Sequence, residues 1–277
     1  MSRGDRTVVT GNISTSMRNN YQTLGVSEYY KKVGSTYRNP HFPGIRRCVF
    51  LWLNRLWEMD SAVLSTQRRI LIFDMACGSG EGTIAAKEWW SLGRRLHEFV
   101  VLKSEGEKPT VNLPRSRTKI APPPLGPGVR QPHIIAADPF TCAAYRDRTS
   151  LPCAALSFKE ISEGALPPIP SDTEVAGEEA MPGDGARTPI IDIIICSFAL
   201  HLIEDPSQLF SLLWELSSKA RWLVILAPHK KPEIKDGWGW CKWDIDAWQS
   251  CRMTDQIREL VNDRVHCRVY RSMNVRQ

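Results

Sequence analysis

Residues 74–82, Asp-Met-Ala-Cys-Gly-Ser-Gly-Glu-Gly, place two carboxylates, one thiol and three glycines within a single short stretch. The apolar run Ile70-Leu-Ile-Phe precedes it and Thr83-Ile-Ala-Ala-Lys follows. This is the pattern of a strand that ends in a tight turn opening a helix. Gly78 and Gly80 let the backbone turn sharply and come close to a ligand. The helix N-terminus beyond them offers unpaired N–H groups to a carboxylate or phosphate. The chemistry implied is retention of a nucleoside-containing cofactor. Two imidazoles add a second capability, because the ordinary histidine pKa suits a general base. His41 lies in Asn39-Pro40-His41, and His201 lies five residues beyond Cys196. His201 is set in the apolar Ala199-Leu-His-Leu-Ile, where a hydrogen-bonded packing histidine is an equal alternative.

These groups need elements to position them. Ile134-Ile-Ala-Ala-Asp138 is a second apolar run ending in an acid. Asp138 is placed to accept hydrogen bonds from ribose hydroxyls or to cap a helix over Phe140 to Arg148. Ala154 to Ile161 reads as a third strand, with Glu160 or Glu163 just past it. Pro189-Ile-Ile-Asp-Ile-Ile-Ile-Cys196 is the near-continuous apolar run of a strand buried on both faces. Pro206 to Leu216 has helical spacing, and Arg221 to Pro228 reads as a fifth strand. Gly237 to Trp243 and Arg264 to Arg271 form a candidate antiparallel pair, with a helix over Thr254 to Val261. Ahead of the first strand, Val49 to Trp57 is helical in pattern. Strands alternating with helices predict a parallel sheet with right-handed crossovers.

The acid four residues before the first glycine (D-x-x-x-G-x-G) resembles motif I of the class I S-adenosylmethionine-dependent methyltransferases, and the Pro189 to Asp205 segment resembles their motif IV. The resemblance implies an α/β, Rossmann-like three-layer sandwich with a mostly parallel seven-stranded sheet. It implies S-adenosyl-L-methionine as cofactor, held by Asp74, Ala76, Cys77, Gly78, Gly80, Asp138, Pro139, Ser197 and Phe198. Glu160 or Glu163 would lie near the adenine. Residues before the sheet fold over the cofactor as a lid in this family, so Tyr30, Tyr37 and Asn39 become candidate acceptor-binding residues and His41 and His201 candidate bases near the methyl group. The Tyr, Gly and Asn-Pro-His pattern of residues 29–41 is similar to patterns in uncharacterised methyltransferase-like proteins; an ordinary Asn-Pro turn is the alternative.

The chain has 277 residues, 42% of them hydrophobic, enough for one sizeable core. One domain is expected over 1–277, with a lid or helical region over 1–65 and a core over 66–277. Two insertions, near 103–133 and 163–188, are rich in Pro and Gly, and their composition predicts no packed core. Residues 105–130 are therefore expected to be removable without loss of stability. No signal peptide or membrane-spanning run is read in the sequence. The eight cysteines contain no Cys-x-x-Cys pair, which points to reduced thiols in a cytoplasmic or nuclear protein and to no metal site.

The net charge of +6 is scattered over both ends and the first insertion, unlike a phosphate-tracking groove. Ser197-Phe-Ala-Leu also stands where amino-methyltransferases acting on bases or glutamine carry Asn/Asp-Pro-Pro-Tyr/Phe. The expected acceptor is a small molecule, taking the methyl on O, N or S. The alternatives are an RNA or protein methyltransferase, an inactive methyltransferase-like binding protein, and an NAD(P)- or FAD-binding protein. The last would want G-x-G-x-x-G where the chain has G-x-G-x-G.

Overall fold

The computed structural model describes residues 25–60, 69–104, 120–169, 189–257 and 259–275. Among the described residues two helices, α1 (Val26–Val33) and α2 (Phe42–Met59), precede strand β1 (Leu71–Met75). The chain continues through α3 (Glu81–Ser104), β2 (His133–Ala137), α4 (Cys142–Thr149), α5 (Phe158–Ser162) and β3 (Ile191–Ser197). After a 3-10 turn at Leu200–Leu202 come α6 (Pro206–Lys219), β4 (Ala220–Ala227), β5 (Trp240–Asp244), β6 (Gln249–Cys251), β7 (Leu260–Asn262) and β8 (Val265–Ser272). Among the described residues no helix is long and apolar enough to cross a membrane.

The sheet runs β2-β1-β3-β4-β8-β5-β6, with β7 also paired to β8. The β1–β2, β1–β3 and β3–β4 pairs are parallel, and every pair involving β5 to β8 is antiparallel. It has eight strands rather than the seven expected. Burial of β3 on both faces explains the near-continuous apolar run in its sequence. Ile193 and Ile195 face the core under α2 and α3, while Ile191, Ile194 and Cys196 face the core under α5 and α6. That is the three-layer arrangement.

Three expectations are corrected. Ala154 to Ile161 is not a strand: only Ala154 bridges to Ala137, and Ser157 then caps α5. Its hydroxyl accepts from the Glu160 N–H while the Glu160 carboxylate accepts from Ser157. This reciprocal cap outweighs the alternating apolar pattern. Thr254 to Val261 is not a helix, because Leu260–Asn262 pairs with β8 as β7. The helix read at Val49 to Trp57 is longer, beginning at Phe42 with Pro43 in its first turn.

Within the first proposed insertion, residues 105–119 lie outside the described residues; residues 120–132 pack on the core. Leu125 is fully buried in the cluster under α2 and α3, and its N–H donates to the Gly93 carbonyl at 2.9 Å. Deleting 105–130 would remove that anchor, so the expectation of a dispensable segment is overturned. In the second, Leu166 and Ile169 pack on the opposite core, and residues 170–188 lie outside the described residues.

Candidate functional site

The chain passes from β1 outward to β2 and then back across to β3, so the strand order reverses between β1 and β3. Ligands of open α/β sheets bind in the crevice beyond the carboxyl ends of the strands at such a point. A cavity of about 1170 Å³ opens there. The first residues beyond β1 and near the end of β3 shape it. Ala76 has φ 53° and Phe198 has φ 57°, a left-handed backbone that costs a residue with a Cβ about 1–3 kcal/mol and clusters at functional sites.

Ala76, Cys77 and Gly78 form the floor beside β1, and Asp138 and Pro139 the side beside β2. Ser197, Phe198 and His201 continue it beyond β3, and Tyr30, Tyr37 and Asn39 cover it from the N-terminal segment. Asp138 is nearly buried. Its Oδ1 accepts from the Phe140 and Thr141 N–H groups at 2.8 and 2.9 Å, and its Oδ2 from the Gly78 N–H at 3.2 Å. Burial raises its carboxyl above the usual range despite those donors. Asp138 thus braces the turn before α4 and the glycine loop together.

Three sequence candidates do not face the cavity. Asp74 is fully buried behind the loop. Its Oδ2 accepts from the Thr83 N–H and hydroxyl at 2.8 and 2.7 Å, fixing the start of α3, and desolvation pushes its carboxyl up to about 7. Gly80 turns its back to the cavity with φ 88°. A Cβ there would stand 2.5 Å from Thr149 Cγ2 and 3.2 Å from the Tyr145 ring. The requirement for glycine therefore comes from α4, not from a ligand's volume. His41 lies behind Phe198, its ring stacked on that side chain at 4.9 Å, and burial followed by the Arg264 charge lowers its pKa. Glu160 and Glu163 do not line the cavity either: Glu160 is spent on the α5 cap, and Glu163 lies 3.9 Å from Lys159.

His201 faces the cavity, with its Nδ1 buried and without a hydrogen-bond partner among the described residues. Desolvation, then the nearby His229 and Arg268 charges, pushes its pKa down to about 4. The imidazole is therefore neutral throughout the physiological range. His229, after β4, meets it edge-on at 4.8 Å. The Arg268 guanidinium donates to the carbonyls of Lys230, Lys231 and Pro232, holding the turn that carries His229.

Glu81, not singled out from the sequence, is the hub of the glycine-loop side. It is 3% exposed and pairs with Arg148 at 2.7 Å. Its Oε1 accepts from the Ser79 hydroxyl at 2.6 Å and the Asn39 N–H at 3.1 Å, and its Oε2 from the Ser79 N–H at 3.2 Å. One carboxylate thus ties the N-terminal segment, the glycine loop and α4. The available signal was an acid within a glycine-dense turn. His229 could have been found as the residue after Pro228, at the end of a parallel strand.

No family model matches the chain. It is 42% identical over 269 residues to the uncharacterized protein C17A5.05c of Schizosaccharomyces pombe, covering 95% of each. Among solved structures it is similar to the magnesium protoporphyrin IX methyltransferase of Synechocystis with bound SAM (TM-score 0.40, 9% identity, 91% of this chain and 92% of that one). It is also similar to the N-methyltransferase NodS of Bradyrhizobium japonicum in complex with S-adenosyl-l-homocysteine (TM-score 0.40, 11% identity, 92% and 99%). Four adjacent parallel strands flanked by an antiparallel β8, with a glycine loop between β1 and α3, give this chain a Rossmann-like α/β fold, and it belongs to the family of the fission-yeast protein C17A5.05c.

Proposed function

We propose that the chain is an S-adenosylmethionine-dependent methyltransferase acting on a small-molecule acceptor, with residues 1–277 forming one domain whose N-terminal part serves as the lid. The observation that carries this reading is a single cavity running from the glycine loop to His201. Its volume exceeds the roughly 300–1,000 Å³ of a one-ligand pocket, which leaves room for cofactor and acceptor together.

The lining chemistry fits the cofactor. Glu81, Asp138, Glu204 and Asp205 face the cavity with Lys159 as their ammonium counterpart, a surplus of carboxylate that suits a sulfonium cation. Asp74 and Gly80 shape the loop from behind, and Ala76, Cys77 and Gly78 hold the methionine portion. Asp138 and Pro139 hold the ribose, and Ser197 and Phe198 lie along the adenine and methyl side. The bound cofactor supplies an electrophilic methyl group. The chain's contribution is alignment and exclusion of water, which can supply much of the acceleration.

Tyr30, Tyr37 and Asn39 close the acceptor side. His201 is the better placed of the two imidazoles to take an acceptor proton, being unprotonated at neutral pH, although a pKa near 4 makes it a weak base. His41 acts through Phe198, as a positioning residue.

Calorimetric titration with S-adenosylhomocysteine tests the cofactor, and absence of binding to the reduced full chain would overturn the reading. With an acceptor identified, a general base at His201 predicts a turnover loss of about 10²- to 10⁴-fold in His201→Ala. Near-wild-type turnover with only a changed Michaelis constant would assign catalysis to positioning alone.

A further inference from the structure

Three cysteine sulfurs meet beside the cavity wall. Cys77 belongs to the glycine loop, Cys142 opens α4, and Cys153 immediately precedes the Ala154 bridge. The Cys142 and Cys153 Sγ atoms are 3.1 Å apart, and the Cys77 Sγ is 3.6 Å from that of Cys153. All are free thiols. Cys77 is buried, whereas Cys142 and Cys153 are half-buried and within reach of small solutes.

We propose that Cys142 and Cys153 form a reversible disulfide, made by hydrogen peroxide, that lowers affinity for the cofactor. Cys153 attacks as its thiolate: one peroxide oxygen is transferred to sulfur, giving the sulfenic acid and hydroxide. The Cys142 thiol then displaces water from that sulfenic acid as the S–S bond forms. In sum, two thiols and one peroxide give one disulfide and two waters, sulfur being oxidised and peroxide oxygen reduced. Thiol hydrogen bonds from Cys77 and then Cys142 hold Cys153 below the ordinary cysteine range, which favours it as the attacking sulfur.

A disulfide requires an S–S separation of about 2.05 Å, so the two sulfurs must close by roughly 1 Å. The movement falls on the cavity wall. Cys142 Sγ donates to the Asp138 carbonyl at 3.0 Å, and the Asp138 N–H donates to the Ala154 carbonyl at 3.0 Å. Joining the sulfurs removes the first of these contacts and pulls on both sides of the Asp138 turn.

The test uses the reduced full-length chain, exposed to hydrogen peroxide and then to catalase. Expected are the loss of two titratable thiols, a Cys142–Cys153 cross-linked peptide, and S-adenosylhomocysteine affinity lowered by roughly tenfold or more, about 1.4 kcal/mol, all restored by dithiothreitol. Cys142→Ser and Cys153→Ser should each abolish the cross-link and the peroxide sensitivity, while Cys251→Ser retains both. Peroxide that yields no cross-link, a cross-link between other cysteines, or a cross-linked protein with undiminished affinity would overturn the proposal. So would a trio that binds one equivalent of zinc and resists peroxide. The loss of affinity rests on the cofactor reading. A reduced chain that binds no S-adenosylhomocysteine overturns that reading and the affinity claim together, and peptide mapping still decides the disulfide.

Discussion

The two ends of the cavity are built differently. Beyond β1 and β2, the carboxylates of Asp74, Asp138 and Glu81 accept from protein donors, linking loop, helix and lid, with only Asp74 Oδ1 among their oxygens buried without a partner among the described residues. Beyond β3 and β4, the Ser197 Oγ and His201 Nδ1 are buried without a partner, and the rings of His41, Phe198, His201 and His229 meet through stacking and edge contacts. One end is pinned by directional charge-assisted bonds, and the other is shaped by aromatic packing. A ligand common to a whole enzyme class suits the first kind of wall, and a ligand particular to one family suits the second.

The contrast predicts the greatest sensitivity at the pinned end. Gly80→Val should cost about 3 kcal/mol or more, combining left-handed strain with the overlap on Thr149. It should also abolish S-adenosylhomocysteine binding. Guanidinium denaturation and calorimetry measure the two effects, and an unchanged transition midpoint would break the comparison.

Next is Glu81→Gln, which leaves Arg148 without its anion and weakens three accepted bonds. A loss of about 2 kcal/mol in stability is expected from hydrogen bonds to a charged group, with weaker cofactor binding because the lid contact at Asn39 loosens. A variant that keeps its stability would show that the hub is dispensable.

The two ends should also respond oppositely to pH. Asp74, raised to about 7, contributes stability that is present below about pH 4 and lost as pH rises through about 7. His201, lowered to about 4, contributes stability that is present above about pH 6.5 and lost as pH falls through about 4. Wild type should therefore lose ground against Asp74→Asn as pH rises from 4 to 7, and gain ground against His201→Gln over the same interval. Denaturation midpoints across that range decide it, and parallel curves would remove the contrast.

The smallest expected effect is that of Glu160→Ala. It should lower the melting temperature slightly through loss of the α5 cap and leave S-adenosylhomocysteine affinity unchanged. A clear loss of affinity would return Glu160 to the adenine region, where the sequence first placed it.

The pinned end was also the more legible one. The 70–83 stretch writes strand, turn and helix into neighbouring residues, and the apolar run before Asp138 does the same for β2, so local signals sufficed. Asp74 and Gly80 were singled out for a ligand, whereas the structure turns them toward Thr83 and α4, because which side of a loop faces a cavity depends on a distant segment. Ser157 and Glu160 did carry a local signal, S-x-x-E, and alternating apolar residues obscured it. Leu125 could not be read at all: a single anchor inside a proline-rich stretch has no periodicity. His41 was misplaced for a similar reason, since its position is set by Phe198, far away in the chain.

Helix α2 leans on the hairpin formed by β7 and β8. The Cys48 thiol donates to the Val265 carbonyl, Arg47 pairs with Asp263 at 2.9 Å, and a Cβ on Gly44 would overlap Val265. The helix that follows the cavity's covering segment is thus seated on the last strand of the chain, more than 200 residues downstream. Contacts of such sequence separation form late because the long loop must close first. A substitution on β8, which lies between β4 and β5 and lines no part of the cavity, can reach the covering segment through α2.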